Sequence, residues 1–471
     1  MNKYITTTLP YVNADPHIGF ALEIVQADAL ARFWRLQGHK VVFNTGTDEH
    51  GQKIFDKAVA EKMDPQEYCD IYAAKFDRLK KALNLTYTDF TRTTDPRHIR
   101  AAGEFWKRCL KNNDIYKKNY RIKYCIGCEL EKTDSELVDN RCPLHPNAPL
   151  EIIEEENYFF RFSRYQQPLL NLFANNPDFI VPDYRLKEIS EFVKAGLQDF
   201  SVSRLKKKMP WGIEVPGDPD HVMYVWFDAL INYISVLGWP ENINKFEDFW
   251  PGFQIAGKDN LRQQSAIWQS MLLSAGLPPT KKIFIHGFIT SNGQKMSKSL
   301  GNVTDPFGVV EKFGTDAVRY YLLREIPASS DGDYSEKRMI EIYNTELANE
   351  LGNLVSRLTR LAETDSLAVS SSLNDSLFDG TLCEEYENFR FDIIWSGLHK
   401  RIKELNRKIN EKAPWQLAAS ERKEFLEKCL TQTSQIGYLL QPLLPQTAEK
   451  LLAAVNGKIK TISPLFPRLK Y

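Results

Sequence analysis

An α/β domain interrupted by an insertion and followed by an α-helical bundle is the fold that this 471-residue sequence predicts. Three observations carry that expectation. Short β-rich runs alternate with helical apolar stripes in two separated stretches before residue 334. Between about 115 and 160 the texture changes to short segments containing Cys and Pro. After about 334 the strand signal nearly vanishes while helical periodicity persists. At roughly 100–200 residues per domain, a chain of this length suits about three such units.

The elements follow in order. Residues 4–8 (YITTT) read as the first strand, and Pro10 with residues 13–16 breaks it. Ile18, Ala21, Leu22, Val25, Ala29, Leu30, Phe33 and Leu36 then recur at helical spacing, and Gly38 stops the helix. Residues 41–43 begin a second strand that runs into the polar turn Thr45-Gly46-Thr47-Asp48. Strand, loop, helix, strand is the opening of a Rossmann-type nucleotide-binding fold with a parallel sheet. Residues 56–113 read as helices, and 183–206 as helical again. From 222 the alternation resumes with MYVWFDA, the strand FQIAG, an amphipathic helix from Leu261 to Leu273, and the strand KIFIHGFI. The divisions are therefore a split Rossmann-type domain at 1–115 and 222–334, an insertion at 116–221, and an α-helical domain at 335–471. Within the last, 335–364, 383–412 and 421–456 carry the helical period, and the Pro-containing tail is expected to lie extended.

Composition excludes several classes. With 61 basic and 61 acidic residues the formal charge is zero, so a nucleic-acid partner must be held by local patches. No run approaches the roughly 18–20 apolar residues of a membrane span, and the N-terminus has no apolar signal core. Of seven Cys, Cys69, Cys109, Cys383 and Cys429 are scattered and read as buried small apolar side chains, which points to a reducing, cytoplasmic setting.

Three motifs carry chemistry. Pro16-His17-Ile18-Gly19 sits where a strand enters a helix, and a helix N-terminus with a nearby His donor and a close-approaching Gly suits phosphate. By itself the tetrapeptide is a weak signal, and a tight strand–helix connection with a solvated His is the plainer reading. Lys295-Met296-Ser297-Lys298-Ser299 follows a strand and a Gly turn, and two Lys around a Ser can neutralise charge as a pyrophosphate departs. Cys125, Cys128, Cys142 and His145 form two close pairs separated by a loop, the spacing of a four-coordinate structural Zn²⁺ with three sulfur ligands and one nitrogen.

These motifs, with TTLPYVNADPHIG, NTGTDEHGQK, YVWFDAL, IAGKDN and HGFITSNGQKMSKSLGN, resemble the methionyl-tRNA synthetase family of class I aminoacyl-tRNA synthetases, over about residues 4–470. The resemblance implies a ligase that activates L-methionine with ATP, accompanied by Mg²⁺, and passes it to tRNA(Met). It assigns catalysis to His17, Lys295 and Lys298, and ATP contacts to these residues with Gly19, Glu23, Gly257, Asp259, Met296 and Ser297. The methionine pocket maps onto Leu9, Tyr11, Asp48, Trp226, Ala229, Tyr233 and His286. Asp48 supplies the carboxylate an ammonium needs, and the aromatic rings suit a thioether. The cysteine cluster resembles the family's single zinc knuckle. Asn353, Arg357 and Trp415 match residues that read the anticodon, a stacking face with two base-edge partners. The excess of Lys and Arg at 398–412 suits a phosphate backbone. The resemblance further implies a monomer, since dimeric members often carry an extra domain beyond this point.

Phe20 departs from the family pattern, which places a second His there. A Phe gives ATP no hydrogen bond, so a relative that binds methionine or tRNA without catalysis is the competing reading. The intact loop at 295–299 opposes it.

Overall fold

A computed structural model of the chain describes residues 1–128, 130–132, 136–296, 302–370, 377–378 and 380–470. Its centre is a six-stranded, all-parallel sheet in the order Asp89–Arg92, Lys40–Thr47, Asn2–Thr6, Phe253–Gly257, Lys282–His286, Ile180–Val181. The N-terminal strand lies beside the one at 253–257, with Ile5 opposite Phe253. Chain order reverses at that pair. This opens a crevice beyond the carboxyl ends of the strands, the usual ligand position in such sheets.

The helix Ile18–Leu36 follows the first strand and ends at Gly38, whose φ of +78° favours glycine. It is buried well beyond its apolar stripe, even at Gln26 and Asp28, because it is covered on two sides. One face lies on the sheet, where Trp34 meets Phe253 edge-on at 5.1 Å. The other meets the C-terminal helices, where Phe33 stacks on Tyr386 at 4.1 Å. One apolar cluster therefore runs from Ile5 and Leu22 to Leu440, and a second fills the opposite face of the sheet around Phe105, Trp106, Phe227 and Trp268.

Several local expectations are corrected. Within 56–113, the strand Asp89–Arg92 joins the sheet edge; four residues are too few to show a period. The helical reading of 183–206 holds for Asp183–Lys194, after which Gly196 turns the chain at φ +106° into the strands Phe200–Ser201 and Ser203–Leu205. The apolar run MYVWFDA splits into the end of the strand Asp218–Met223 and the helix Val225–Ala229, since a run buried all round has no period to read. Between 116 and 221 the principal feature is a long antiparallel pair, Ile115–Cys125 with Glu151–Phe160, in register from Ile115↔Phe160 to Tyr124↔Glu151. Its Lys- and Glu-rich strands hide the alternation. Ile180–Val181, also within that span, adds to the edge of the central sheet.

Beyond 335 the chain is almost entirely helical. Glu336–Ile342, Tyr343–Gly352 and Asn353–Thr364 run on without a break, the middle part π-helical. Gly380–Glu387, Phe391–Lys412, Ala419–Leu440 and Pro445–Ala454 complete the bundle, and the tail is extended with Phe466 buried. No helix among the described residues is long and apolar enough to cross a membrane.

Candidate active site

The signature turn sits at the crevice. His17 caps the first helix in an extended conformation, φ −129° and ψ 168°, and its Nδ1 accepts from Gly19 N–H at 3.1 Å. That bond places the ring proton on Nε2, which leaves a ring donor at the helix N-terminus, where the helix dipole favours negative charge. A Cβ at Gly19 would lie 2.9 Å from His17 Cε1, so any larger residue would push the ring away. Ile18 N–H donates to Thr304 O at 3.1 Å, which joins the first signature to the segment just after the second. The second begins on a hairpin in which Thr290 pairs with Lys295. Met296 is half-buried against the core. The side chain of Lys295, together with Ser297 and Lys298, lies outside the described residues. Phe20 is half-buried, its ring edge-on to Phe76 at 5.5 Å. Its side chain contributes packing and no hydrogen bond.

Beside the turn lies a cavity of about 350 Å³ whose walls include Leu9, Tyr11, Asp48, Trp226, Ala229 and Tyr233. Each is presented from just past a strand end or from the short helices after residue 224. Asp48 is 3% exposed, and its backbone is tied to the first strand's loop through Pro10 O and Val12 N. Tyr233 is buried and its hydroxyl accepts from Gln264 Nε2 at 2.6 Å. His286 does not line this cavity. Its Nε2 meets Glu23 Oε2 at 2.8 Å and its Nδ1 lies 2.7 Å from Gly287 O. Burial alone would lower its pKa, but the hydrogen bond and charge of Glu23, with help from Gly287 O and Asp259, outweigh burial and raise it. Glu23 also takes Thr8 N–H and the Thr8 hydroxyl, each at 2.6 Å. The pair thus fixes the loop after the first strand. Gly257 ends its strand, and Asp259, on the single turn Lys258–Asn260, opens onto the same cavity.

Sequence reasoning missed Thr8, Lys53, Asn232, Gln263 and Gln264, all of which line the cavity. The two glutamines sit in a π-helical stretch, Gln263–Ile267, which sequence spacing does not reveal. The knuckle is a further wall, through Gly127, Cys128, Leu144 and His145, and Lys53 Nζ donates to Gly127 O at 2.8 Å.

The cysteine cluster is assembled as its spacing implies. The four ligand atoms of Cys125, Cys128, Cys142 and His145 lie within 4.8 Å of one another. Cys128 Sγ is 3.4 Å from Cys142 Sγ and 3.2 Å from His145 Nδ1, and Cys125 Sγ is 3.8 Å from that nitrogen. A tetrahedral Zn²⁺ with bonds of about 2.0–2.3 Å needs ligand separations of about 3.3–3.8 Å, and the close contacts of this set, 3.2–3.9 Å, cluster around that scale. A Cβ at Gly127 would lie 2.4 Å from the His145 ring, so glycine is required for the close approach.

The bundle holds a second candidate site. Asn353 and Arg357 line an open groove of about 400 Å³ with Asn349, Glu350, Lys403 and Asn410. Arg357 donates to Asn410 Oδ1 at 2.8 Å, and its guanidinium lies 5.9 Å from the centre of the Trp415 ring. Trp415 is 52% exposed, an open stacking face.

Comparison with known proteins agrees with this geometry. The sequence pattern of the family described as "tRNA synthetases class I (M)" matches residues 3–147 and 127–359. The methionine–tRNA ligase of Thermosynechococcus vestitus is 42% identical over 489 aligned positions, covering 99% of this chain and 92% of that protein. The Synechocystis enzyme is 42% identical over 475, covering 95% and 88%. The structure of Mycobacterium tuberculosis methionyl-tRNA synthetase in complex with methionyl-adenylate superposes with a TM-score of 0.92 at 35% identity, covering 99% of this chain and all of that one. Sequence pattern, relatives and fold converge over nearly the whole length, and the chain belongs to the methionyl-tRNA synthetases of class I.

Proposed function

We infer that this chain is a methionine–tRNA ligase working at the crevice between the two halves of its central sheet. In the first step the methionine carboxylate attacks the α-phosphate of ATP, and methionyl-adenylate and pyrophosphate result. In the second, the terminal ribose hydroxyl of tRNA(Met) takes the methionyl group and AMP leaves. No side chain forms a covalent bond, so catalysis is positioning and charge stabilisation. Asp48 receives the methionine ammonium, and Leu9, Tyr11, Trp226, Ala229 and Tyr233 enclose the thioether. ATP enters as its Mg²⁺ complex. His17, Gly19 and the helix N-terminus meet its phosphates, Lys295 and Lys298 the departing pyrophosphate, with Met296 and Ser297 in the same loop. Gly257 and Asp259 serve the ribose. Glu23 and His286 act as a pair that holds the loop carrying Thr8 and Leu9.

Cys125, Cys128, Cys142 and His145 would hold Zn²⁺ as a structural cross-link of the knuckle. Asn353, Arg357 and Trp415 read the anticodon. A cytoplasmic enzyme fits seven cysteines that form no disulfide, and we expect a monomer.

The observation that supports the reading is the Ile18–Thr304 hydrogen bond, which ties the turn after His17 to the chain a few residues past the second signature. Methionine-dependent ATP–pyrophosphate exchange, followed by charging of tRNA(Met), tests it. Absence of exchange at saturating methionine and ATP would refute it in favour of a non-catalytic relative, the reading Phe20 favours.

A further inference from the structure

Asp228 is fully buried in the short helix Val225–Ala229, between two residues that line the cavity, Trp226 and Ala229. Its carboxylate oxygens are taken by two different imidazoles. His50 Nδ1 lies 2.6 Å from Oδ2, and His98 Nε2 lies 2.6 Å from Oδ1. His50 stands two residues past Asp48 at the end of the second strand, and His98 is in the first turn of the helix Pro96–Lys111. Both rings are buried, at 6% and 0% exposure. The other nitrogen of His98 is 3.2 Å from Ser235 Oγ. Trp211 packs on His50, ring centres 5.6 Å apart, and its indole N–H donates to Glu49 O. The reaction above uses none of these groups.

A buried carboxylate is costly unless its oxygens are paired, and here both are. The pairing joins the turn that carries Asp48 to the wall that carries Trp226, Ala229 and Tyr233. These are the two sides of the methionine cavity.

We propose that Asp228 is a positioning residue for methionine binding, holding His50 and His98 so that the Asp48 carboxylate and the aromatic wall keep a fixed separation. The proposal rests on Asp48 being the ammonium partner.

The hydrogen-bond inventory makes a sharp distinction between variants. In Asp228→Asn the amide oxygen still accepts from His50. The amide nitrogen donates to His98 Nε2 once His98 moves its proton to Nδ1, where Ser235 Oγ accepts it. Every partner is satisfied, so the clamp survives without the charge. Asp228→Leu has similar bulk and satisfies neither ring. His50→Asn places an amide nitrogen where Nδ1 was, and His50→Leu places none.

The test is methionine-dependent ATP–pyrophosphate exchange on the full chain, with KM for methionine, KM for ATP and kcat measured separately. Asp228→Leu is expected to raise KM for methionine about tenfold or more, the scale of one buried hydrogen bond. Its KM for ATP should stay within about twofold, and Asp228→Asn should recover to within about threefold. If Asp228→Leu fails to fold, His50→Leu against His50→Asn carries the same comparison. A methionine KM unmoved by the Leu variants, an Asn variant as damaged as Leu, or an equal rise in KM for ATP would each overturn the proposal. Asp48→Asn measured in parallel separates the two levels. If it leaves methionine KM unchanged, the reading of Asp48 fails; if it raises KM while the Leu variants do not, only the positioning role fails.

Discussion

Replacing Asp48 by Asn removes one charge from the wall of the cavity and leaves its shape intact. The carboxylate is 3% exposed, so water screens it little. An ammonium seated about 4 Å from its centre gains about 4 kcal/mol at an effective dielectric constant near 20. Desolvation of the ammonium takes back part of that, and hydrogen bonds between charged groups retain about 1.5–3 kcal/mol net. Asn keeps one acceptor oxygen, so the expected loss is about 2–3 kcal/mol, about 30- to 150-fold in kcat/KM for methionine. The ammonium is bound in both the ground state and the transition state, so the loss should fall on KM with kcat largely kept. Pyrophosphate exchange at varied methionine and saturating ATP reads this directly, and KM for ATP serves as the internal control. A change in kcat/KM under about fivefold, or a loss confined to kcat, would refute the assignment of Asp48 to the ammonium.

Four further outcomes are expected. Arg319 is fully buried, pairs with Asp28 at 2.8 Å, and donates to Leu443 O, Leu83 O and Pro442 O. Arg319→Met strands three carbonyls and weakens the hold on Asp28, so chemical denaturation should show a loss of about 3–5 kcal/mol; under about 1 kcal/mol would contradict the account. Chelation of Zn²⁺, or Cys128→Ser, should open the knuckle to trypsin at the exposed Arg141 and raise KM for methionine, because Cys128 and His145 line the cavity; metal analysis of the untreated protein should give one ion per chain. The raised pKa of His286 means that its protonated form is favoured by folding. Its stabilisation is therefore fully present below about pH 6.5, the unfolded value, and is lost as pH rises through the folded value. The Tm gap between wild type and His286→Asn should shrink between pH 6 and pH 9, and a gap that widens would reverse the sign. Arg357→Ala should raise KM for tRNA about tenfold by removing a base-edge partner and its packing on Trp415, measured by aminoacylation.

Much of the candidate site was legible because its residues are punctuation in the chain. His17 and Gly19 stand at a strand–helix junction, Asp48 at a strand end, and Cys125, Cys128, Cys142 and His145 at ligand spacing. Such positions are specified by local backbone and ligand chemistry, so short motifs reveal them. The first strand and helix were legible for the same reason, from period and breakers. The hairpin Ile115–Cys125 with Glu151–Phe160 was not, because its charged strands show no clear alternation. Gln263 and Gln264 escaped because a π-helical stretch shifts which side chains share a face.

Sequence by itself determined the α/β class, the helical C-terminal region, the four metal-type ligands and several of the residues that line the crevice. Tertiary structure decided what those residues touch. It paired His286 with Glu23 rather than with the cavity, turned Phe20 onto Phe76, made the knuckle a wall of the cavity beside Asp48, and set one carboxylate between His50 and His98. These contacts join residues far apart in the chain. They are fixed by which buried polar groups find partners once the sheet and helices pack, and no local spacing encodes that.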